Sequence, residues 1–100
     1  MKIYQVSCTV QAEIADDWQK LYLEKHLKDV FNTGCFVKYT FKKELSDSKE
    51  MITFVSEFHY ESQADFDRYN ANYAAALKKD VQDLFEGKYS CERSYYEVLK

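Results

Sequence analysis

The chain contains only two glycines and no proline, and each glycine closes a stretch with helical spacing. A chain with so few breakers changes direction chiefly where its periodicity changes. The first such stretch is Asp16 to Phe36, DDWQKLYLEKHLKDVFNTGCF. It predicts one amphipathic helix that ends in Asn32-Thr33-Gly34 and runs straight into a strand. At about 100° per residue, Trp18, Tyr22, His26 and Val30 follow one another along one flank. Asp16 and Asp17 lie near the start, where carboxylates meet the positive end of the helix dipole. Gly34 suits the left-handed position that commonly closes a helix.

On either side of this helix the period falls to two. Lys2 to Ala12 reads as a strand with Tyr4, Val6, Cys8 and Val10 on one face; Gln5, Ser7, Thr9 and Gln11 fall on the other, after Ile3. Cys35 to Leu45 reads as a second strand, followed by the polar turn Ser46–Glu50. Met51 to Tyr60 is a third, with Ile52, Phe54, Phe58 and Tyr60 facing one way and Thr53, Val55, Glu57 and His59 the other. Ser62-Gln63-Ala64-Asp65 resembles a capping box. It opens a second helix with a stripe of Phe66, Tyr69, Tyr73, Leu77, Val81 and Leu84, which Gly87 ends. Tyr89 to Leu99 makes a last strand whose facing the alternation leaves open.

The order β-α-β-β-α-β is the split βαβ or ferredoxin-like plan, an α+β fold. Two helices should cover one face of a four-stranded antiparallel sheet of order 4-1-3-2, with strands one and three parallel and central. The length of 100 residues suits a single domain, 1–100, with its own core. The other sheet face, bearing Ile3, Gln5, Ser7, Val55, Glu57 and His59, is then uncovered, and its apolar share predicts a homodimer packed sheet to sheet. Glu57 and Arg93 are candidates to pair across that surface.

Composition excludes several classes. With 46% hydrophobic and 17% aromatic residues, the mixture forms cores rather than disorder. A net charge of −3 with both signs scattered leaves no electrostatic footprint for nucleic acid. No apolar run approaches the roughly 20 residues of a membrane span. The N-terminus alternates and lacks a signal-peptide core, so a cytoplasmic location is expected. Cys8, Cys35 and Cys91 form an odd set without a C-x-x-C pair, which predicts three reduced thiols and no metal.

The opening Y-x-V-x-C-x-V, Trp18, His26-Leu27, Val30, Thr33-Gly34 and Phe36 resemble a family of small uncharacterised bacterial proteins, a domain of unknown function, in the dimeric α/β-barrel superfamily. FHYESQADFDRY is similar to that superfamily's strand-to-helix junction. The resemblance spans about Lys2 to Val98 and implies ferredoxin-like protomers paired through their sheets; it implies no established activity. In the family the histidine is typically followed two residues later by proline. Here that position is Lys28, which predicts a helix that runs on regularly.

Members of the superfamily include cofactor-free monooxygenases, cyclases, isomerases and haem enzymes, some with a substrate cleft between sheet and helices. Such chemistry needs a base near neutral pH and phenolic or amide donors. The candidates are His26 as base and Tyr22, Tyr69, Asn70 and Tyr73 as ligand-binding groups. No motif marks a haem ligand, and no cofactor is expected. The preferred reading is a non-catalytic small-ligand or interaction module. In it His26 is a core-edge residue whose ring bonds Tyr22, Gln19 or a backbone carbonyl. The alternative is a cofactor-independent monooxygenase- or cyclase-like enzyme acting on a small aromatic or enolisable substrate. In that case His26 is the general base.

Overall fold

The computed structural model describes residues 1–100. Its middle strand, β1 (Lys2–Gln11), is paired on both edges. β3 (Met51–Tyr60) lies on one side and β4 (Tyr89–Glu97) on the other, with β2 (Lys38–Lys43) beyond β3. The order β2-β3-β1-β4 is the expected 4-1-3-2 sheet. Every neighbouring pair is antiparallel, β1 with β3 included, which corrects the expectation that strands one and three are parallel. The parallel relation in this plan belongs to β1 and β2, which a helical crossover joins and β3 separates.

Alternation in β1 sends Tyr4, Val6, Cys8 and Val10 into the core and leaves Ile3, Gln5, Ser7 and Thr9 on the open face. β3 matches it, burying Phe54, Ser56, Phe58 and Tyr60. The second strand is shorter than expected. Cys35 and Phe36 are both buried, which consecutive residues of a strand exposed on one face cannot be; they belong to the descent from the helix.

The first helical arm is not uniform. A 3-10 turn at Ala12–Ile14 leads into α1 (Ala15–Leu21), a π-helical turn follows at Tyr22–His26, and α2 (Leu27–Phe31) completes the arm. The π turn corrects the expected regular helix. It inserts an extra residue into the stripe, so Leu27 rather than His26 follows Tyr22 into the core, at 2% exposure. Gly34 then takes φ +78°, the left-handed C-terminal position. Arg68 reaches back from the second arm and donates to Gly34 O at 3.1 Å.

That arm begins at Ser62, whose hydroxyl accepts from the Asp65 amide at 3.3 Å, as the capping pattern required. It is two helices, α3 (Gln63–Asn72) and α4 (Ala74–Phe85), with Tyr73 between them at φ −128°. The break resets the stripe. Val81 and Phe85 are buried, whereas Tyr73 and Leu84, expected in the core, are exposed. Gly87, at φ +79°, turns the chain into β4.

The facing of β4 follows from its register. Tyr89, Cys91, Arg93 and Tyr95 lie opposite Val10, Cys8, Val6 and Tyr4, hence on the helix side. The Gln11 amide donates to Lys88 O at 3.0 Å and the Val98 amide to Met1 O at 2.9 Å. Odd residues of β1 are therefore its hydrogen-bonded pairs with this edge. Cys8 and Cys91 fall in a non-hydrogen-bonded pair, where opposed side chains approach most closely. Their Cα atoms are 4.1 Å apart and the sulfurs are bonded, across 83 residues of sequence. The expectation of three thiols is thereby corrected: only Cys35, buried, is free. Linear spacing could not show a pair that only strand register assembles.

A denatured, unreduced sample should accordingly titrate one thiol. Closing so long a loop contributes on the order of 2–4 kcal/mol, so Cys91→Ser should lower the urea midpoint by a corresponding amount. Three reactive thiols, with a midpoint unchanged by the substitution, would refute the pairing.

Candidate functional site

A cavity of about 60 Å³ lies between the sheet and the helical arms. Tyr4, Val6, Ser56 and Phe58 form its floor. Tyr22, His26 and Val30 come from the first arm, and Tyr69, Ala74, Lys78 and Val81 from the second. Tyr89, Cys91 and Arg93 of β4 complete the wall. Three of the sequence candidates, Tyr22, His26 and Tyr69, thus meet in one place. Tyr22 and Tyr69 are buried, so their rings pack in the core while their hydroxyls supply polar tips.

Two candidates lie elsewhere. Asn70 is exposed and outside this wall. Tyr73, displaced by the break between α3 and α4, lines a surface groove with Asp29, Asn32 and Leu77. Tyr4, Ser56, Lys78, Tyr89, Cys91 and Arg93 were not expected at this site from the sequence. An alternation of Tyr89, Cys91, Arg93 and Tyr95 was the available signal for β4. The adjacent aromatics Tyr95 and Tyr96 hid it, since either could have marked the buried face.

Arg93 brings a charge to the rim of the cavity. Its Nε donates to the Tyr4 hydroxyl at 3.0 Å, although its guanidinium lies toward the exposed edge. Arg93 therefore faces the helices and cannot meet Glu57 across the open sheet face. Glu57 instead accepts from Lys42 at 2.6 Å. Burial raises the pKa of Tyr4, Tyr22, Tyr69 and Tyr89, with the Arg93 charge acting the other way on each. All four phenols are hydrogen-bond donors at physiological pH.

His26 forms the opposite wall. Its ring lies 4.5 Å from that of Tyr22, between centroids. Burial lowers its pKa to about 4, with Asp29 and Asp80 opposing that effect and Lys25 adding to it. Its ring is not held by the hydrogen bonds to Tyr22, Gln19 or backbone that a purely structural role predicted; it borders space on two sides. His26 and Val81 separate the cavity from an outer groove of about 270 Å³ that carries Lys25, Asp80 and Asp83. On the far side, Lys78, Tyr89, Cys91 and Arg93 are shared with a second groove of about 260 Å³.

The six residues expected at a dimer interface all lie on the other sheet face: Ile3, Gln5, Ser7, Val55, Glu57 and His59 are each half-buried. His59 is partly exposed, yet its Nδ1 is shielded and lacks a partner. Burial lowers its pKa, Lys38 adds to the effect and Glu57 opposes it. Tyr96, paired with Ile3, extends this face and is half exposed. No helix is long and apolar enough to cross a membrane. No three His, Cys, Asp or Glu side chains gather where they could hold a metal ion.

Residues 1–99 match a family model described as a domain of unknown function, DUF4286. No curated protein matches the chain. Among solved structures, SnoaB, a cofactor-independent oxygenase from Streptomyces nogalater, is 11% identical with a TM-score of 0.70, the match covering 99% of this chain and 94% of that one. An ethyl tert-butyl ether d (ethd) family protein from Bacillus halodurans is 13% identical with a TM-score of 0.72, over 98% of this chain and 100% of that one. A dimeric ferredoxin-like protein from an uncultured marine organism is 12% identical with a TM-score of 0.68, over 100% and 96%. At such identities the likeness is one of fold.

The low basicity of His26 has a measurable consequence. Unfolded, the ring titrates near its ordinary value of 6.5; folded, it stays neutral down to about pH 4. The unfolded state therefore binds the proton first, and stability falls as pH drops from about 6.5 towards 4, by at most roughly 3 kcal/mol. His26→Gln should flatten the melting temperature across that window. An acid slope equal to that of wild type would show that the ring is not shielded.

Proposed function

The chain belongs to DUF4286, a family of domains of unknown function, and on that premise we propose that it works as a homodimeric, non-catalytic module that binds a small molecule or a partner. The size of the cavity carries this reading. At about 60 Å³ it has room for about four non-hydrogen atoms, whereas a cavity that admits benzene measures about 150 Å³. An aromatic ring would not fit within it and would have to sit partly in an adjoining groove. The basicity of His26 weighs in the same direction, since a general base works best with a pKa near the operating pH. The enzyme alternative, with His26 as base on an aromatic or enolisable substrate, therefore has the weaker support.

The working unit in this proposal is a dimer through the open sheet face. Ile3, Val55 and Tyr96 supply apolar area there, and Gln5, Ser7, Glu57 and His59 supply polar complementarity. A solved ferredoxin-like neighbour of the same fold is described as dimeric, which supports this arrangement. The cytoplasm expected from the N-terminus has the weaker support as the cellular site. The thiol pool there keeps most disulfides reduced, and this chain carries Cys8–Cys91.

Sedimentation at micromolar concentration should give twice the mass of the chain. Val55→Glu, which puts a charge in the middle of the proposed contact, should yield a folded monomer. A wild-type protein that sediments as a monomer would remove the dimer from this reading.

A further inference from the structure

We infer that the cavity is a binding site for a small carboxylate anion, entered between α4 and β4 and held by Arg93 and Lys78. This deepens the proposed small-ligand reading and rests on it. The wall contains Arg93, Lys78 and His26 together with four tyrosines and Ser56, and no aspartate or glutamate. A chain with net charge −3 has thus placed cations and neutral donors, without a compensating carboxylate, around one partly open space between sheet and helices.

Neither cation is committed to a carboxylate. The protein's ion pairs use Lys25, Lys42, Arg68, Lys79 and Lys88. Arg93 spends one donor on the Tyr4 hydroxyl, which fixes its plane and leaves its terminal nitrogens available. A planar guanidinium fixed in this way suits a carboxylate, which it can engage through two parallel hydrogen bonds. The phenols of Tyr22 and Tyr69 are buried and stay protonated, so they can donate to the same oxygens.

Charge also selects the entrance. The groove beyond His26 carries Asp80 and Asp83 against one lysine, Lys25, which leaves it net negative and unfavourable to an anion. The groove beyond β4 shares Lys78, Tyr89, Cys91 and Arg93 with the cavity, with Glu86 as its one acidic residue. The volume fixes the size of the headgroup: about four non-hydrogen atoms is a carboxylate with one attached carbon. Any longer tail would lie in the β4 groove.

The test is an amide NMR titration of the full chain with sodium acetate, with acetamide as the neutral control of the same shape. Acetate should give saturable shifts at Tyr22, Tyr69, Cys91 and Arg93 that acetamide does not reproduce. Lys78→Met, an exposed position that leaves the fold intact, should weaken the apparent Kd several-fold. Arg93→Met should weaken it about tenfold or more, the scale of a lost charge-assisted hydrogen bond. Should that variant fail to fold, the Lys78→Met result stands alone. Equal shifts with both ligands, or acetate binding untouched by Lys78→Met, would overturn the anion assignment while leaving a small-ligand cavity in place. No cavity shift with either compound would overturn both.

Discussion

Pairing of β1 on both edges is the constraint on which the rest of the structure depends. Its even side chains form the floor of the core, and every other element is placed by what it must do to them. β3 extends the floor, β4 closes its open side, and the two helical arms cover it. Val10 and Trp18 are completely buried, and Trp18 stacks on Tyr22 at 4.9 Å between ring centroids with Phe85 and Tyr89 close by. One residue thus joins the first arm, α4 and β4. Its indole nitrogen has no partner, a cost of about 1–3 kcal/mol. Burying so large a ring offsets that cost.

The same aromatic packing makes the cavity polar. Tyrosines fill the space where sheet and arms diverge, and a tyrosine brings a hydroxyl wherever its ring ends. With phenylalanine at Tyr4, Tyr22 and Tyr69 the space would lose three hydroxyls and keep only His26, Ser56, Lys78, Tyr89 and Arg93 as its polar side chains. Arg93 completes the effect from an edge strand, where its stem lies along the core side and its charge remains near water. The π turn at Tyr22–His26 belongs to this arrangement. It places His26 at the rim and lets Leu27 take the enclosed position.

What the sequence made legible was the periodicity and its interruptions. β1 and β3 alternate cleanly because one face of each is enclosed, so their boundaries and facing could be read residue by residue. The first arm and the capped start of α3 were legible as helical stretches, and Tyr22 and Tyr69 followed from their phase. The π turn moved His26 from its expected place in the stripe to the rim. The breaks were not legible. Asn72-Tyr73-Ala74 contains no glycine or proline, so the break there left no mark in the sequence. β4 was illegible because an edge strand is partly exposed on both faces, which erases alternation. With its facing unknown, Arg93 and Cys91 could not be assigned to the cavity, and the partner of Cys8 stayed hidden.

Proton affinities bear on what this constellation can do. For His26 to activate a neighbouring phenol it would have to accept a proton from a group whose pKa burial has raised above 10. Its own pKa lies near 4. Burial moves the two proton affinities in opposite directions, so transfer from phenol to imidazole is uphill. A relay between His26 and these tyrosines in the unliganded site is thus disfavoured. Both features come from one cause, the exclusion of water that keeps imidazole and phenol in their neutral forms. A wall of neutral groups whose only cations are Arg93 and Lys78 is a poor proton relay. It is well suited to holding a small anion, because its donors are already oriented and none must first lose or gain a proton.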